Sequence, residues 1–267
     1  MMRSMYSGIS GIRAHQVKMD VVVNNIANVN TTAFKASRVT FQEVLSQTIK
    51  PSFSNTGSDL GGTNAQQIGL GVSVGAIDVM NTPSGVQRTD RPFDVSIATD
   101  GFFIVSNGTD QLYTRAGNFY LDTTGNLVTE SGYKVCDATG VPIEIANSSD
   151  YTDFTIDKGG MVKCVEKATG APQEFGPIGI AEFVNLEGLM KDGGNLYRAT
   201  ANSGVATIGT PGTGGYSELI PNTLEMSNVD LSQEFTDMII AQRGFQANSR
   251  VITTSNNMLE ELANIIR

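Results

Sequence analysis

Apolar residues recur with helical spacing at both ends of the 267-residue chain. Near the N-terminus the steps alternate between four and three residues, with one polar interruption at Gln16, which is the pattern of an a/d seam on a helix. The same alternation begins again at Leu231, and Asp230 with Gln233 is typical of a capping box at a helix start. We therefore predict a long helix at each end and expect their seams to serve in assembly. The seam positions are Met5, Ile9, Ile12, Met19, Val23, Ile26, Leu231, Phe235, Met238, Phe245, Ile252, Leu259 and Ile266.

Further apolar residues lie off these seams. A helix that is apolar on more than one side needs more than one neighbour. Two interpretations follow: the terminal helices form an ordinary hairpin within one chain, or the pair also packs against copies of itself. The off-seam residues are Val17, Val22, Ile239, Ile240, Val251 and Ile265.

The middle of the chain has the pattern of short strands separated by turns. Turn signals such as Asn107-Gly108 and Lys158-Gly159-Gly160 stand between them. Closely spaced strands without intervening helices predict a compact antiparallel β domain. The predicted strands are Val72–Val79, Phe93–Ala98, Phe102–Ser106, Leu112–Arg115, Phe119–Asp122, Leu127–Thr129, Tyr133–Cys136, Ile143–Ile145, Phe154–Ile156, Met161–Val165 and Ile178–Val184.

These patterns predict an α+β fold, in which paired terminal helices form a coiled-coil-like domain and the strands form a central antiparallel β domain. We expect a discontinuous helical domain at residues 1–35 and 225–267, and the β domain at 76–199. The remaining segments, 36–75 and 200–224, are predicted connectors, because the stretches Ser52–Gln66 and Thr200–Tyr216 are rich in Gly, Ser, Thr and Asn.

Charge and hydropathy narrow the possible partners. The net charge of −9 and the sequence pI of about 4.6 argue against a nucleic-acid partner, because the phosphate backbone would be repelled. No apolar run is long enough for membrane insertion. The N-terminus lacks the apolar core of a secretory signal, so we expect no cleaved signal peptide.

No motif predicts catalysis, a cofactor or a metal ion. The segment Gly71–Gly75 matches the G-x-S-x-G elbow around a nucleophilic Ser73, but His15 is the only histidine and lies upstream of it. Two cysteines make no disulfide framework, and free buried thiols at Cys136 and Cys164 are favoured over a single bridge. A secreted β-fold enzyme and a binding module on a coiled-coil stalk remain as alternatives.

Several segments resemble signatures of the flagellar rod and hook protein family, in the family's order and over nearly the whole chain. Asn24–Lys35 resembles its N-terminal signature, although Ala33 stands where the family usually has Gly. Because Ala is strained at positive φ, we expect a milder turn there. The other segments that carry the resemblance are Gln67–Val72, Arg91–Ile97, Gly101–Phe103, Tyr113–Phe119, Gly193–Tyr197, Ser203-Gly204, Leu224–Leu231 and Met238–Asn248.

The resemblance implies a structural subunit and no enzyme. Members of this family polymerise into a helical tube whose terminal helices line a central channel, with the β domain outside. The partners implied are further copies of the chain, the flagellar rod, hook-cap and hook–filament junction proteins, and the flagellar type III export apparatus. The implied location is the extracellular flagellum, at the hook or basal body, reached without a cleaved signal peptide.

Two roles within the family fit the chain. The segments Leu224–Leu231 and Arg243–Asn248 are similar to hook proteins, which form a flexible tube that transmits torque from motor to filament. The length leaves no room for the additional outer domain of many hook proteins, and so fits a distal rod subunit, part of a stiff drive shaft. On the signature segments we predict a hook subunit, with a distal rod subunit as the alternative.

Overall fold

The computed structural model describes residues 2–54, 61–146 and 150–265. The chain forms two compact units. Unit 1 contains residues 1–27, 37–79 and 230–267, and unit 2 contains residues 28–36 and 80–229. The chain therefore passes from one unit to the other after residues 27, 36, 79 and 229.

The predicted α+β class is confirmed. Helix α1 is Met2–Ala27 and helix α2 is Leu231–Ile265, and every strand pairing in the described residues is antiparallel. The strands in chain order are β1 Ser37–Glu43, β2 Ser46–Lys50, β3 Gln66–Gly69, β4 Val72–Val79, β5 Val86–Arg88, β6 Val95–Ile97, β7 Phe102–Ser106, β8 Gln111–Thr114, β9 Tyr120–Leu121, β10 Leu127–Val128, β11 Lys134–Val135, β12 Tyr151–Ile156, β13 Met161–Glu166, β14 Pro172–Pro177, β15 Ile180–Glu182, β16 Met190–Gly193, β17 Leu196–Arg198, β18 Thr207–Gly209, β19 Leu219–Pro221 and β20 Thr223–Glu225.

The ends of the helices follow from local chemistry. Helix α1 stops before Asn28, where Asn and Thr side chains compete for backbone hydrogen bonds. Helix α2 begins after Asp230, whose Oδ1 accepts hydrogen bonds from the backbone N–H of Ser232 at 2.8 Å and of Gln233 at 3.4 Å. Asp230 is thus the N-cap, and its carboxylate satisfies two of the free N–H groups of the first turn.

Unit 1 also contains a long two-stranded ribbon. Strand β1 pairs with β4, and β2 pairs with β3 in the same antiparallel sense, so the ribbon extends as far as a bridge between Phe53 and Thr63. The predicted connector Ser52–Gln66 therefore contains paired backbone, although its residues 55–60 lie outside the described part of the chain.

Unit 2 is built around a nine-stranded sheet with the path β16-β17-β8-β7-β11-β10-β9. Strand β7 is its centre, because β15 also pairs with it and carries β18 on its other side. Strands β12, β13 and β14 form a second sheet, and β6 with β19 and β5 with β20 form two small ribbons.

The core of unit 2 lies on both faces of β7. Phe103 and Val105 point into the larger cluster with Phe119 and Leu127, and Phe102 and Ile104 point into a second cluster on the other face. Strands buried on both faces read as continuous apolar runs, which is why the sequence Phe102–Ser106 predicted β7 with the bounds that it has.

Some sequence predictions differ from the structure in detail. Ile143–Ile145 is extended but makes only isolated bridges, because its backbone bonds alternate between Val135 and Gly125 instead of following one partner. The milder turn expected at Ala33 is wrong, since its φ is +56° and its side chain is buried. The division into helical domain, connectors and β domain stays a prediction.

The structure also bears on three sequence expectations: the nucleophile elbow, the state of the cysteines and membrane insertion. Ser73 lies within the continuous strand β4, which lacks the strand-to-helix turn of a nucleophile elbow. Cys136 and Cys164 are both free and buried, and burial together with the charge of Asp137 raises the pKa of Cys136 to about 11. Neither described helix is long and apolar enough to cross a membrane.

Candidate assembly surfaces

Helices α1 and α2 pack against each other in an antiparallel pair within unit 1. Lys18 Nζ lies 2.7 Å from Asp237 Oδ1, and Asn25 Nδ2 donates to Glu234 Oε1 at 2.9 Å. Toward the other end, a Cβ atom added at Gly11 would lie 2.7 Å from Nδ2 of Asn248. The contact positions rise along α1 as they fall along α2, which defines the antiparallel arrangement.

The contact face of the pair consists of small and polar residues. A Cβ atom added at Gly244 would lie 2.5 Å from the imidazole ring of His15, so glycine is needed for this close approach. The buried positions of α1 are Gly8, Gly11, Ala14, Val22 and Asn25, and those of α2 are Ala241 and Ser255.

This contact face lies one residue N-terminal to the predicted seam on both helices. Gly8, Gly11, Val22 and Asn25 precede Ile9, Ile12, Val23 and Ile26, and Ala241, Gly244 and Ser255 likewise precede the four-three pattern of α2. One residue is a rotation of about 100° around a helix. The apolar seams therefore lie mostly beside the intramolecular contact, although the seam residue Ile252 lies 3.4 Å from a Cβ atom added at Gly8.

The predicted seam residues are only partly covered within one chain. Val23 is 52% exposed and Phe235 is 50% exposed, and Leu231 is also exposed. Ile266 lies outside the described residues. The half-buried members are Met5, Ile9, Ile12, Met19, Ile26, Met238, Phe245, Ile252 and Leu259.

Helix α2 presents further apolar side chains to solvent. Ile239 and Ile240 are more than half exposed, and Ile265 is 79% exposed. Val251, Met258 and Leu262 are exposed as well. Of the off-seam residues that the sequence singled out, Val22 is buried in the helix pair and Val17 is half-buried. A helix with this much exposed apolar surface is typical of an interaction surface.

The ribbon adds a second uncovered apolar surface to unit 1. Its β1–β4 half packs on α1, where Ser10 Oγ accepts a hydrogen bond from Val72 N and the rings of His15 and Phe41 lie 5.8 Å apart. Its β2–β3 half is exposed on both faces. The apolar residues Leu45, Ile49, Phe53 and Ile68 are all exposed there.

Between α1 and the ribbon runs an apolar groove with a volume of about 440 Å³. The seam residue Ile9 lines it together with Tyr6 and Val17 from the helix, and Val44, Val72 and Val74 from the ribbon. The groove thus places the half-buried seam residue Ile9 beside apolar residues of the ribbon.

Unit 2 contains a buried ionic cluster. Glu225 Oε1 lies 2.7 Å from Lys35 Nζ, and Glu225 Oε2 lies 2.6 Å from Arg115 Nε. All three side chains are less than 5% exposed. Arg115 also donates to the carbonyls of Thr99 and Gly101. Two cations therefore share one carboxylate inside the unit.

Burial and neighbouring charges shift the pKa values of this cluster in opposite directions. Burial raises the pKa of Glu225, but the charges and hydrogen bonds of Arg115 and Lys35 outweigh it, so the pKa lies below its ordinary value. Burial lowers the pKa of Lys35, and Glu225 offsets this only in part. Glu225 is therefore ionised at neutral pH.

Three profiles of flagellar rod and hook proteins match parts of this chain. The profile of flagella basal body rod protein matches residues 5–35. The D1 domain of flagellar hook protein FlgE/F/G matches residues 96–164, and the C-terminal profile of flagellar basal body rod FlgEFG protein matches residues 220–265.

Full-length relatives give the same result. The flagellar basal-body rod protein FlgG of Bacillus subtilis is 52% identical over 268 positions, which cover 100% of both chains. FlgG of Caulobacter vibrioides is 38% identical, covering 97% of each chain. This chain belongs to the flagellar rod and hook protein family. The flagellar hook protein FlgE of Borreliella burgdorferi is 27% identical over 442 positions, covering 99% of this chain and 100% of the relative.

The ionic cluster joins three segments that carry the family resemblance. Lys35 ends the segment Asn24–Lys35, Arg115 lies in Tyr113–Phe119, and Glu225 lies in Leu224–Leu231. The sequence analysis did not single these residues out. A partial signal was present, because Lys35 and Arg115 are the only charged residues of their segments, whereas Leu224–Leu231 contains Asp230 besides Glu225.

Proposed function

We propose that this chain is a structural subunit of the rod in the flagellar basal body, in its distal part, and that it acts by polymerising and not by catalysis. The observation that carries this proposal is the length of the matches. The alignments with the two FlgG proteins span 268 and 261 positions, whereas the alignment with the hook protein FlgE spans 442. The hook relative therefore contains long segments that this chain lacks.

The hook subunit that the sequence analysis favoured is thus the weaker of the two readings. That prediction rested on the sequences of short C-terminal segments, whereas the rod interpretation is supported by 52% identity with a FlgG protein over the whole chain. A distal rod subunit belongs to a stiff shaft, so its contacts with neighbouring copies should be extensive.

The exposed apolar surfaces of unit 1 support polymerisation. The seam residues Val23 and Phe235 and the off-seam residues Ile239 and Ile240 are about half exposed or more in one chain. In a helical polymer each copy contacts its neighbours through two different surfaces, so the same apolar faces are covered at every position. We infer that the predicted seams, with the groove beside α1, are contacts between copies.

The β2–β3 half of the ribbon supports the same inference. A two-stranded hairpin exposed on both faces is at best marginally stable in water, and this one displays Leu45, Ile49 and Phe53. Burying these side chains against a second copy would stabilise the hairpin and enlarge the contact between copies. A large, apolar contact is what a stiff shaft requires.

The remaining partners follow from a distal rod position. The polymer adjoins other rod proteins on one side and the hook on the other, and the chain reaches it through the flagellar type III export apparatus. Hook-cap and hook–filament junction proteins are expected partners of a hook subunit, and they are not expected to bind a rod subunit. The net charge of −9 argues against nucleic acid as a partner.

Electron microscopy of cells that lack this gene tests the proposal. We expect truncated basal bodies that end below the outer part of the rod and carry no hook. Complete rods without hooks would support a hook subunit instead, and intact flagella would refute both roles. Plasmid-borne wild-type protein should restore complete structures in the same cells.

A pair of matched variants tests the assembly surface. Ile239→Asp puts a charge on the exposed apolar face of α2, whereas Gln246→Asp puts the same charge at an exposed polar position of the same helix. In purified protein we expect the first variant to abolish polymerisation, measured by sedimentation, and the second to retain it. Equal polymerisation of both variants would contradict the assignment of this face.

A further inference from the structure

Three segments of unit 2 meet near the points where the chain passes to unit 1. They are residues 33–36, residues 80–85 and residues 225–228. We call this junction the three-segment clasp. Lys35, Thr82, Ser84, Glu225 and Asn228 supply its polar side chains.

Asn228 bonds to both of the other segments. Its Oδ1 accepts from Ala36 N at 2.7 Å, and its Nδ2 donates to Met80 O at 2.7 Å and to Thr82 Oγ1 at 3.0 Å. Its backbone N–H donates to Phe34 O at 3.3 Å. Met80 N also donates to Ala36 O at 2.8 Å. One side chain thus holds the two other backbones side by side.

Glu225 makes the second connection. Its Oε1 accepts from Lys35 Nζ, from Ser84 N at 3.2 Å and from Ser84 Oγ at 3.3 Å. Lys35 Nζ also donates to Thr82 O at 2.7 Å. The backbone O of Glu225 accepts from Ala33 N at 2.9 Å. Without Glu225, the buried Lys35 and Arg115 would each lose the ion pair that they make in the described structure.

The three segments differ in what else holds them. Strands β5 and β20 pair with each other beside the second and third segments. Residues 28–36 contain no strand. Outside the clasp, these residues also accept hydrogen bonds from a distant part of the same chain. Asn195 Nδ2 donates to Thr32 O, and Lys191 Nζ donates to Lys35 O. Residues 33–36 therefore make most of their described hydrogen bonds to other segments within the clasp.

We propose that the clasp makes folding of the N-terminal part of unit 2 conditional on the C-terminal segment. Residues 33–36 and 80–85 become ordered only when residues 225–228 reach them. Lys35 and Glu225 are 190 positions apart in the chain. A chain that emerges N-terminus first, from any channel, thus keeps this part of unit 2 open until almost all of it has emerged. This inference does not depend on whether the chain is a rod or a hook subunit.

Hydrogen exchange measured by mass spectrometry on the full chain tests the coupling. Glu225→Gln keeps the shape but removes the counter-ion of Lys35 and Arg115. We expect amide exchange to become about tenfold faster or more in all three segments together, the factor that losing a charge-assisted hydrogen bond implies, while β7 and β8 stay protected. Faster exchange confined to residues 222–229 would overturn the proposal.

A surface carboxylate in the same unit supplies the matched control. Glu174 pairs with Lys163 at 3.3 Å, but both side chains are more than 40% exposed. Glu174→Gln should leave exchange in the clasp unchanged. If it accelerated the clasp as much as Glu225→Gln does, general loss of charge and not the clasp would be responsible.

A second experiment covers the case that Glu225→Gln does not fold. In the unaltered chain, pulsed exchange labelling during refolding should show the three segments gaining protection at one rate. Protection of residues 33–36 before residues 225–228 would refute the proposal. Asn228→Ala should slow this joint step, because it removes the amide that holds Ala36 beside Met80.

Discussion

The two units of this chain bury very different kinds of side chain. Unit 2 encloses Phe102, Phe103 and Phe119 at no more than 2% exposure. In the described part of unit 1 the buried hydrophobic residues are Ala14, Val22 and Ala241, while aromatic and branched side chains such as Phe235 and Ile239 face solvent. Unit 2 satisfies its own apolar surface, whereas unit 1 leaves a surface for other molecules to cover.

The difference shows that apolar residues can serve two purposes within one chain. In unit 2 apolar residues lie on both faces of a central strand and are covered by the same chain. In unit 1 the helices meet largely through glycine, alanine and polar residues, and large apolar side chains such as Phe235 and Ile239 are left outside the contact. The stability of unit 1 should therefore rise on assembly, since binding to the folded form stabilises it.

Truncation of a phenylalanine in each unit gives the largest contrast. Phe103 is fully buried and packs edge to face on Phe119, with ring centroids 5.1 Å apart. Phe103→Ala should lower the free energy of unfolding by about 3–5 kcal/mol, because it leaves a cavity. Urea denaturation followed by circular dichroism measures this loss.

The matching change in unit 1 is Phe235→Ala, at a residue that is 50% exposed. In the separated subunit it should change stability by less than about 1 kcal/mol, yet it should weaken polymerisation measured by sedimentation. A loss of stability equal to that of Phe103→Ala, with polymerisation unchanged, would contradict the division between the two units.

A smaller effect is expected from Gly244→Ala in the helix pair. The added methyl group would lie 2.5 Å from the ring of His15, so the helices must separate or the ring must move, at a cost of about 1–3 kcal/mol. Exchange protection of α1 and α2 reports this change. Gly176→Ala in β14, where a Cβ meets open space, is the control and should be neutral; a neutral Gly244→Ala would mean that the close contact is unimportant.

The smallest contrast is in the response to mild acid. Burial, with the charge of Lys18, lowers the pKa of His15 below 6.5, and its Nδ1 is buried without a partner in the described structure. The unfolded chain then binds the proton more readily, so the helix pair loses stability as the pH falls through the ordinary value of 6.5. His15→Gln should remove this dependence, and an unchanged dependence in that variant would rule out His15 as its source.

Two carboxyl groups set the behaviour at lower pH. The pKa of Glu225 is lowered, so its stabilising contribution to unit 2 is present above its ordinary value of 4.5 and is lost only below it. Burial and the charge of Asp237 raise the pKa of Glu234 in unit 1, so its protonation on acidification has the opposite, stabilising sign. Acidification should therefore loosen the helix pair through His15, with Glu234 opposing this effect, whereas Glu225 weakens unit 2 only below its ordinary value of 4.5, and exchange protection in each unit can follow the difference.

The sequence by itself determined the elements whose signals are local. The four-three spacing and Asp230 gave α2, and apolar runs or alternation gave β4 and β7 with the bounds they have. The order of the signature segments also identified the family. Each of these signals lies within a few neighbouring residues, where backbone geometry fixes which side chains share a face.

Only the tertiary structure decided which face of each helix makes contact. The apolar seam predicted one face, but Gly11 and Gly244 allow the backbones to approach on the neighbouring face. The β2–β3 half of the ribbon was missed because strands exposed on both faces carry no alternation, and their polar residues resembled a connector. The buried cluster of Lys35, Arg115 and Glu225 was hidden for the same basic reason. Its two contacts join positions 190 and 110 residues apart, and no local pattern encodes a contact that exists only after the chain has folded.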